Sequence, residues 1–206
     1  MTERAHDILS LADEAQAIAR TGLHYSDNPF DIERYTRLLA AAEREYADHT
    51  GLSGESVRER LAADVGYVTA KVGADAAVFD DNDRILLVRR ADDGKWGLIS
   101  GWIDTNESPA HTVVRELAEE AGVEARVDRL VGVFFREAAV SGAAHGAVSV
   151  VYLCSITGGA LRPQPHEVLE LAWRAVDDVA ADEWHHHHET LARAALEAHW
   201  QMRAGI

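Results

Sequence analysis

Three glutamates, Glu116, Glu119 and Glu120, crowd into the stretch "RELAEE", with Arg115 directly before them. On a helix Glu116 reaches Glu119 at i+3 and Glu120 at i+4, so the three carboxylates share one face. At separations of about 5–6 Å each pair repels by about 1–3 kcal/mol, depending on local dielectric. Arg115, at i−4 to Glu119, offsets part of this repulsion. A hard divalent cation offsets far more. Mg²⁺ and Mn²⁺ favour oxygen ligands, and Mg²⁺ commonly takes one or two carboxylates together with substrate phosphates. Taken alone, "AEE" also suits an ordinary solvated helix face made of good helix formers, so its surroundings must decide.

The surroundings specify a helix. Ser108 is a good N-cap, Pro109 suits the first helical position, and Gly122 sits where a left-handed turn ends a helix. The predicted helix runs from about Pro109 to Ala121. Val113, Val114, Leu117, Ala118 and Ala121 form its apolar stripe, with Arg115, Glu116, Glu119 and Glu120 on the opposite side. Ahead of it, "YVTAKVGADAAVFD" and "RILLVRRA" read as strands joined at the turn-rich "DDND", and "GKWGLISGW" supplies the strand and loop leading in. Behind it come three more predicted strands, "RVDRLVGVFFREA", "AVSVVYLCSIT" and "EVLELAWRAVDDV", and a closing helix, "ETLARAALEAHWQMR".

The first 65 residues are helical in pattern. Ile8, Leu11, Ala15, Ile18 and Ala19 repeat until Gly22 breaks the run, and Asn28-Pro29 restarts it with Ile32, Tyr35, Leu38, Leu39, Ala42 and Tyr46. A third short helix begins near Glu55, with Ser53 or Gly54 at its cap. So small a unit buries little by itself and must dock on the larger domain or on a second subunit. The expected division is 1–65, a helical extension, and 66–206, an α/β domain.

The stretch from Gly101 to Val123 resembles the Nudix box, the signature of the Nudix hydrolases. Its fixed positions fall on Gly101, Glu107, Arg115, Glu116, Leu117, Glu119, Glu120, Gly122 and Val123, and every one matches. The resemblance implies a Nudix α/β/α sandwich with a mixed sheet, preceded by a small all-helical module. It also implies Mg²⁺- or Mn²⁺-dependent hydrolysis of a nucleoside diphosphate linked to X, giving a nucleoside monophosphate and X-phosphate. In that reading Glu116, Glu119 and Glu120 hold cations and lower the pKa of a bound water. Arg115 orients a catalytic glutamate, Glu107 supports the metal site, and the carbonyl of Ser100 adds a ligand. The family usually has Gly where this chain has Ser100, which matters if that residue needs positive φ.

The stretch "AIARTGLHYSDNPFDIERYTRLL" is similar to the helical extension of a Nudix subgroup acting on substrates that include ADP-ribose and CDP-choline. In that subgroup the extension accompanies dimer formation, so a homodimer is expected, with Tyr25 a candidate to reach a partner's site. The resemblance leaves the general base either a glutamate inside the box or one from a later loop; Glu167, in the Pro-rich "RPQPHEVLELAW", is the candidate outside the box, while Glu170 reads as structural. His145, after "SGAA", resembles a substrate-binding or catalytic His of the subgroup. Trp102 follows the box glycine and offers a face for stacking on a base, whereas Trp96 reads as core. Arg89 and Arg90 end the "ILLV" strand and Arg136 ends "VGVFF", where each can meet phosphate or sugar.

Composition narrows the remainder. A net charge of −15 over 206 residues argues against nucleic acid or an anionic membrane as partner. No apolar run reaches the length of a membrane span, and "MTERAHDILSLADEAQ" is too charged for a signal peptide. The single cysteine, Cys154, lies in a predicted buried strand, and a reducing cytoplasm is the expected compartment. Lysine occurs only at Lys71 and Lys95, as a salt-adapted source or a GC-rich genome would favour. Four consecutive imidazoles at 185–188 converge poorly on one ion, so fortuitous nickel binding is expected rather than a functional site. Two rivals use the same fold. A nucleotide-derivative sensor would tend to lose box carboxylates, all present here, and a diphosphate isomerase would want a cysteine in a site loop.

Overall fold

Asn28 and Pro29 separate the first two helices. In the computed structural model, which describes residues 3–50, 52–62, 69–104, 106–137 and 146–205, α1 spans Glu3–Tyr25, α2 Pro29–Thr50 and α3 Gly54–Ala62. Asn28 Oδ1 accepts the N–H of Phe30 (3.0 Å) and Pro29 takes the first helical position, a side-chain cap with a proline start. Ser53 Oγ caps α3 in the same way through the N–H of Ser56 (3.1 Å). Gly22 does not end α1 as the sequence suggested. It lies inside the helix under the ring of Tyr35, where a Cβ would stand 2.4 Å from ring carbons, so this glycine permits close helix–helix approach. Leu9, Ala12, Ala42, Tyr46 and Val57 form the core of these helices. Leu11, Ile18 and Tyr25, seven residues apart, are exposed instead.

Two compact units make up the chain: Met1–Lys71 with Arg136–Ala147, and Val72–Phe135 with Val148–Ile206. The second carries the strands β1 (Lys71–Val78), β2 (Ile85–Arg90), β3 (Trp96–Gly97) and β4 (Ile99–Trp102), then helix α4 (Pro109–Ala121). Strands β5 (Val123–Arg136), β6 (Ala147–Gly159) and β7 (Val168–Arg174) follow. Two single 3₁₀ turns and helix α5 (His188–Arg203) complete it. One of those turns, Val176–Asp178, takes the end of what the sequence presented as a continuous last strand.

Strand order is β4-β1-β6-β5 in one sheet and β3-β2-β7 in the other. The chain crosses from the second to the first at Leu98, between β3 and β4. Successive side chains on β2 point to opposite faces. Leu86 and Val88 pack with Val113, Leu117 and Ala121 of α4, and Ile85 and Leu87 pack with Leu191, Ala192 and Ala195 of α5. A helix therefore covers each face, which is the α/β/α sandwich with a mixed sheet that the box resemblance implied.

The histidine run clasps β3. Trp184 bridges Trp96, the N–H of His185 donates to the Trp96 carbonyl (2.8 Å), and the N–H of Leu98 donates to His188 Nδ1 (3.0 Å). An accepting Nδ1 places the imidazole proton on Nε2, 3.9 Å from Asp75 Oδ1. A Cβ on Gly97 would come within 3.1 Å of that Nδ1. At the other end of α5, Asp83 accepts from His199 (3.0 Å) and Trp200 (3.4 Å) and pairs with Arg203.

Candidate active site

Helix α4 has the predicted bounds. Ser108 is extended and its side chain accepts the N–H of His111, while Gly122 closes the helix at φ 71° and ψ 21°. Its orientation differs from the sequence expectation. The buried row is Thr112, Val113, Glu116, Leu117, Glu120 and Ala121, whereas Ala118 is exposed and Val114 half-buried. The helix is rolled so that Glu116 and Glu120 turn under β4 rather than toward water. Gly101 makes room for this: a Cβ there would lie 1.7 Å from Glu116 Oε1.

Arg115 gathers the acidic groups. Its Nη1 donates to Glu116 Oε1 (2.8 Å) and Glu119 Oε2 (2.9 Å). Nε and Nη2 grip Glu107 at 3.1 Å each, and Nη2 also reaches the Trp102 carbonyl (3.3 Å). Thr112 Oγ1 donates to Glu107 Oε2 (2.8 Å). These bonds, led by Arg115, pull the Glu107 carboxyl down to about 2. With both oxygens engaged, Glu107 is placed to brace Arg115. Glu119 is the exposed member of the three.

Glu120 has the opposite environment. Burial, then the charge of Glu116 and, more weakly, of Glu167, pushes its carboxyl up to about 8 against the opposing pull of Arg90 and the Ser100 N–H. Its Oε2 is buried and has no hydrogen-bond partner among the described residues. Burial also raises Glu116, where the pull of Arg115 is opposed by Glu119 and Glu167. An all-oxygen donor set, mutual repulsion and one buried acceptor with no donor fit a hard divalent cation.

Ser100 adopts no positive φ. Among the described non-glycine residues only Asp83, Asn106 and His186 do. Ser100 is extended in β4, in register with Asp75 of β1, so a side chain is accommodated there. Glu167 lies in the loop before β7, within electrostatic reach of both Glu116 and Glu120. Its carbonyl accepts the N–H of Ala91 (2.9 Å).

The strand-end arginines separate by face. Arg90 shares the α4 side with Val88, is felt by Glu120, and is braced by Asp92 through two bonds of 3.0 and 2.8 Å. Arg89 has the side-chain parity of Ile85 and Leu87, and its Nε bonds the Gly94 carbonyl (3.0 Å) across the β2–β3 turn. The alternation thus favours Arg90 over Arg89 as a site residue. Arg136 is half-buried at the end of β5, and His145 lies outside the described residues. Trp102 is half exposed on β4, its ring near Gly73. Trp96 is buried beneath Arg174, whose guanidinium carbon is 5.1 Å from the ring centroid. Cys154 is buried in β6, its thiol pushed up to about 12 by burial and then by Asp128. Tyr25 is exposed against His24, and Glu170 faces Arg89 in register. Asp92, Asp93 and His185 bring ligand atoms within 4.8 Å of one another. There Asp92 is held by Arg90, and Asp93 by His185 (2.7 Å).

A carboxylate-lined helix under a β-strand, with a helix on each face of the sheet, defines a class, and comparison with known proteins identifies it. Residues 69–194 match the NUDIX domain model, and the chain belongs to the Nudix family. Residues 6–61 match a second model, a UDP-X-like, N-terminal oligomerisation domain. A putative ADP-ribose pyrophosphatase of Bacillus subtilis is 36% identical over 125 residues, which are 61% of this chain and 60% of that protein. The chain thus spans 60% of that relative's length, less than two thirds. Among solved structures, a UDP-X diphosphatase is similar over 98% of this chain and 96% of its own, with 25% identity and a TM-score of 0.53. The NUDIX domain of Shewanella oneidensis NrtR, complexed with ADP ribose, covers 64% of this chain and 90% of its own, with 26% identity and a TM-score of 0.54.

Proposed function

We propose that the protein hydrolyses the pyrophosphate bond of a nucleoside diphosphate linked to X, of the ADP-ribose or CDP-choline type, yielding a nucleoside monophosphate and X-phosphate. The observation that carries this reading is the pair of buried carboxylates, Glu116 and Glu120, with Glu120 Oε2 unpartnered among the described residues beneath β4. Glu116, Glu119, Glu120 and the Ser100 carbonyl would hold Mg²⁺ or Mn²⁺. Such a cation, when bound, neutralises phosphate charge and lowers the pKa of a water. Glu167 accepts the proton of the attacking water. The P–O bond to the bridging oxygen breaks as the new P–O bond forms. Arg115 holds Glu116 and Glu119 in place and is itself braced by Glu107. Arg90 supplies positive charge facing the phosphates, and the exposed Trp102 offers a stacking face to the base.

Similarity to a putative ADP-ribose pyrophosphatase and to a UDP-X diphosphatase supports a nucleoside diphosphate substrate. The match to an oligomerisation domain and the exposed Leu11, Ile18 and Tyr25 on α1 support a homodimer built through the first unit. The expected compartment remains the cytoplasm; among the described residues no helix is long and apolar enough to cross a membrane.

The test is phosphate release, coupled to a phosphatase, from ADP-ribose, CDP-choline, UDP-glucose and a dinucleoside polyphosphate, with Mg²⁺ and then Mn²⁺. Turnover of one compound that disappears in Glu120→Gln supports the hydrolase. Tight binding of a compound without turnover identifies a Nudix-fold sensor instead.

A further inference from the structure

Glu167 is exposed, and a general base must be held within about 2.6–3.2 Å of the oxygen whose proton it takes. What fixes it is the segment Arg162-Pro163-Gln164-Pro165-His166. The last carbonyls of a helix have no partner within the helix. Here the N–H of Arg162 donates to the Ala121 carbonyl (2.8 Å), and the N–H of Gln164 donates to the Glu120 carbonyl (3.0 Å). The loop therefore caps α4 and is tied to the backbone of a box glutamate.

From Gln164 the chain makes a single turn. Pro165 occupies its first position, and the Gln164 carbonyl accepts the N–H groups of Val168 (2.9 Å) and, at longer range, Glu167 (3.3 Å). Gln164 Oε1 accepts two backbone N–H groups, from His166 (3.0 Å) and Glu167 (2.9 Å). This is the work of an N-cap, usually done by Ser, Thr, Asp or Asn. With two amide donors facing it, the side-chain atom must be the oxygen. Proline on either side narrows the backbone further. Beyond the turn, the Glu167 carbonyl is held by Ala91, the neighbour of Arg90. Glu167 is thus anchored on its N–H side through Gln164 and on its carbonyl side through β2.

We propose that Gln164 is a positioning residue that aims Glu167 at the Glu116–Glu120 pair. The proposal rests on the reading of Glu167 as the base. Gln164 touches neither the reacting atoms nor a cation; it acts through the Glu167 backbone and links the helix that holds the carboxylates to the loop that holds the base.

The experiment is a double-mutant cycle on the full chain, with the substrate found by the panel. Gln164→Ala removes the Oε1 acceptor and leaves the main-chain bonds to Glu120 and Val168, with only the longer 3.3 Å bond of the Gln164 carbonyl on the Glu167 N–H. It should lower kcat roughly 10- to 100-fold, the scale of a misplaced catalytic group, with KM and Mn²⁺ affinity within about threefold of wild type. Gln164→Asn, whose Oδ1 can accept the same two amides in an Asx-type turn, should recover most of the loss. In a Glu167→Gln background Gln164→Ala should cost nothing further. A full loss in that background, or wild-type kcat for Gln164→Ala, overturns the proposal. Failure of the underlying reading looks different. If Glu167→Gln keeps wild-type kcat while Glu120→Gln does not, Glu167 is not the base and the proposal falls with it. Hydrogen exchange at the Glu167 amide reads the same anchor without turnover, and must speed up in Gln164→Ala and not in Gln164→Asn.

Discussion

Gly101→Ala is the sharpest single perturbation of the site. Gly101 is not among the positive-φ glycines, so an alanine meets no backbone penalty and any effect is steric. The added methyl would stand 1.7 Å from Glu116 Oε1, 2.3 Å from its Cδ and 2.9 Å from its Cγ. To restore even a 3.0 Å contact the carboxylate must retreat by about 1.3 Å. Glu116 is buried and bonded to Arg115 at 2.8 Å, so the retreat breaks that bond or displaces β4. Overpacking of this kind costs about 1–3 kcal/mol, a Tm decrease of roughly 2–12 °C for a chain of this size. A displacement near 1 Å in a catalytic array lowers turnover on the order of 10²-fold. The assay is kcat on the substrate identified by the panel, alongside thermal melting. Glu116→Ala in the same background supplies the control: it removes the colliding group, so the double variant should melt above Gly101→Ala and be no less active than Glu116→Ala. Wild-type turnover by Gly101→Ala would refute the placement of Glu116 under β4.

Other consequences follow from the same contacts. His188→Leu strips the acceptor from the buried Leu98 N–H, a loss of about 1–3 kcal/mol, and should lower Tm, while His188→Asn, with an acceptor near the Nδ1 position, should lower it less. The Asp83 carboxyl is held below the usual aspartate range by its hydrogen bond from His199, then by Arg203 and Trp200. A folded-state value below the unfolded one stabilises above about pH 4 and fades as pH falls through the lowered value. The Tm gap between wild type and Asp83→Asn should therefore shrink from pH 7 to pH 2, and a constant gap would contradict it. Cys154, buried and with its thiol pushed up to about 12, should resist a thiol reagent at pH 8 until the protein is unfolded.

Local signals carried much of this fold. Ser108, Pro109 and Gly122 set both ends of α4, because caps are decided within one turn of chain, and the i, i+3, i+4 spacing of the glutamates made their neighbourhood readable before any packing was known. The roll of α4 was not readable. Glu116 and Glu120 are buried only because β4 runs over them at a glycine, a contact set by tertiary packing. Gly22 misled for a related reason: a glycine that ends a helix and one that admits a neighbour's ring look alike in sequence. Alternation put Arg89 and Arg90 on opposite faces, yet only the position of α4 says which face matters. Gln164 carries no sequence signal because its partners, Glu120 and the amides of a single turn, pair across a loop with no periodicity. His188 sits in a run of four like residues that hides its separate role, and its partner Leu98 lies 90 residues away.

The central claim, that crowded carboxylates beneath β4 form a cation site, is tested most directly by Mn²⁺ titration followed by electron paramagnetic resonance, comparing wild type with Glu120→Gln. The wild type should bind Mn²⁺ that excess Mg²⁺ displaces, and Glu120→Gln should bind it at least about tenfold more weakly with an unchanged circular dichroism spectrum. Equal Mn²⁺ binding by the two proteins would contradict the claim.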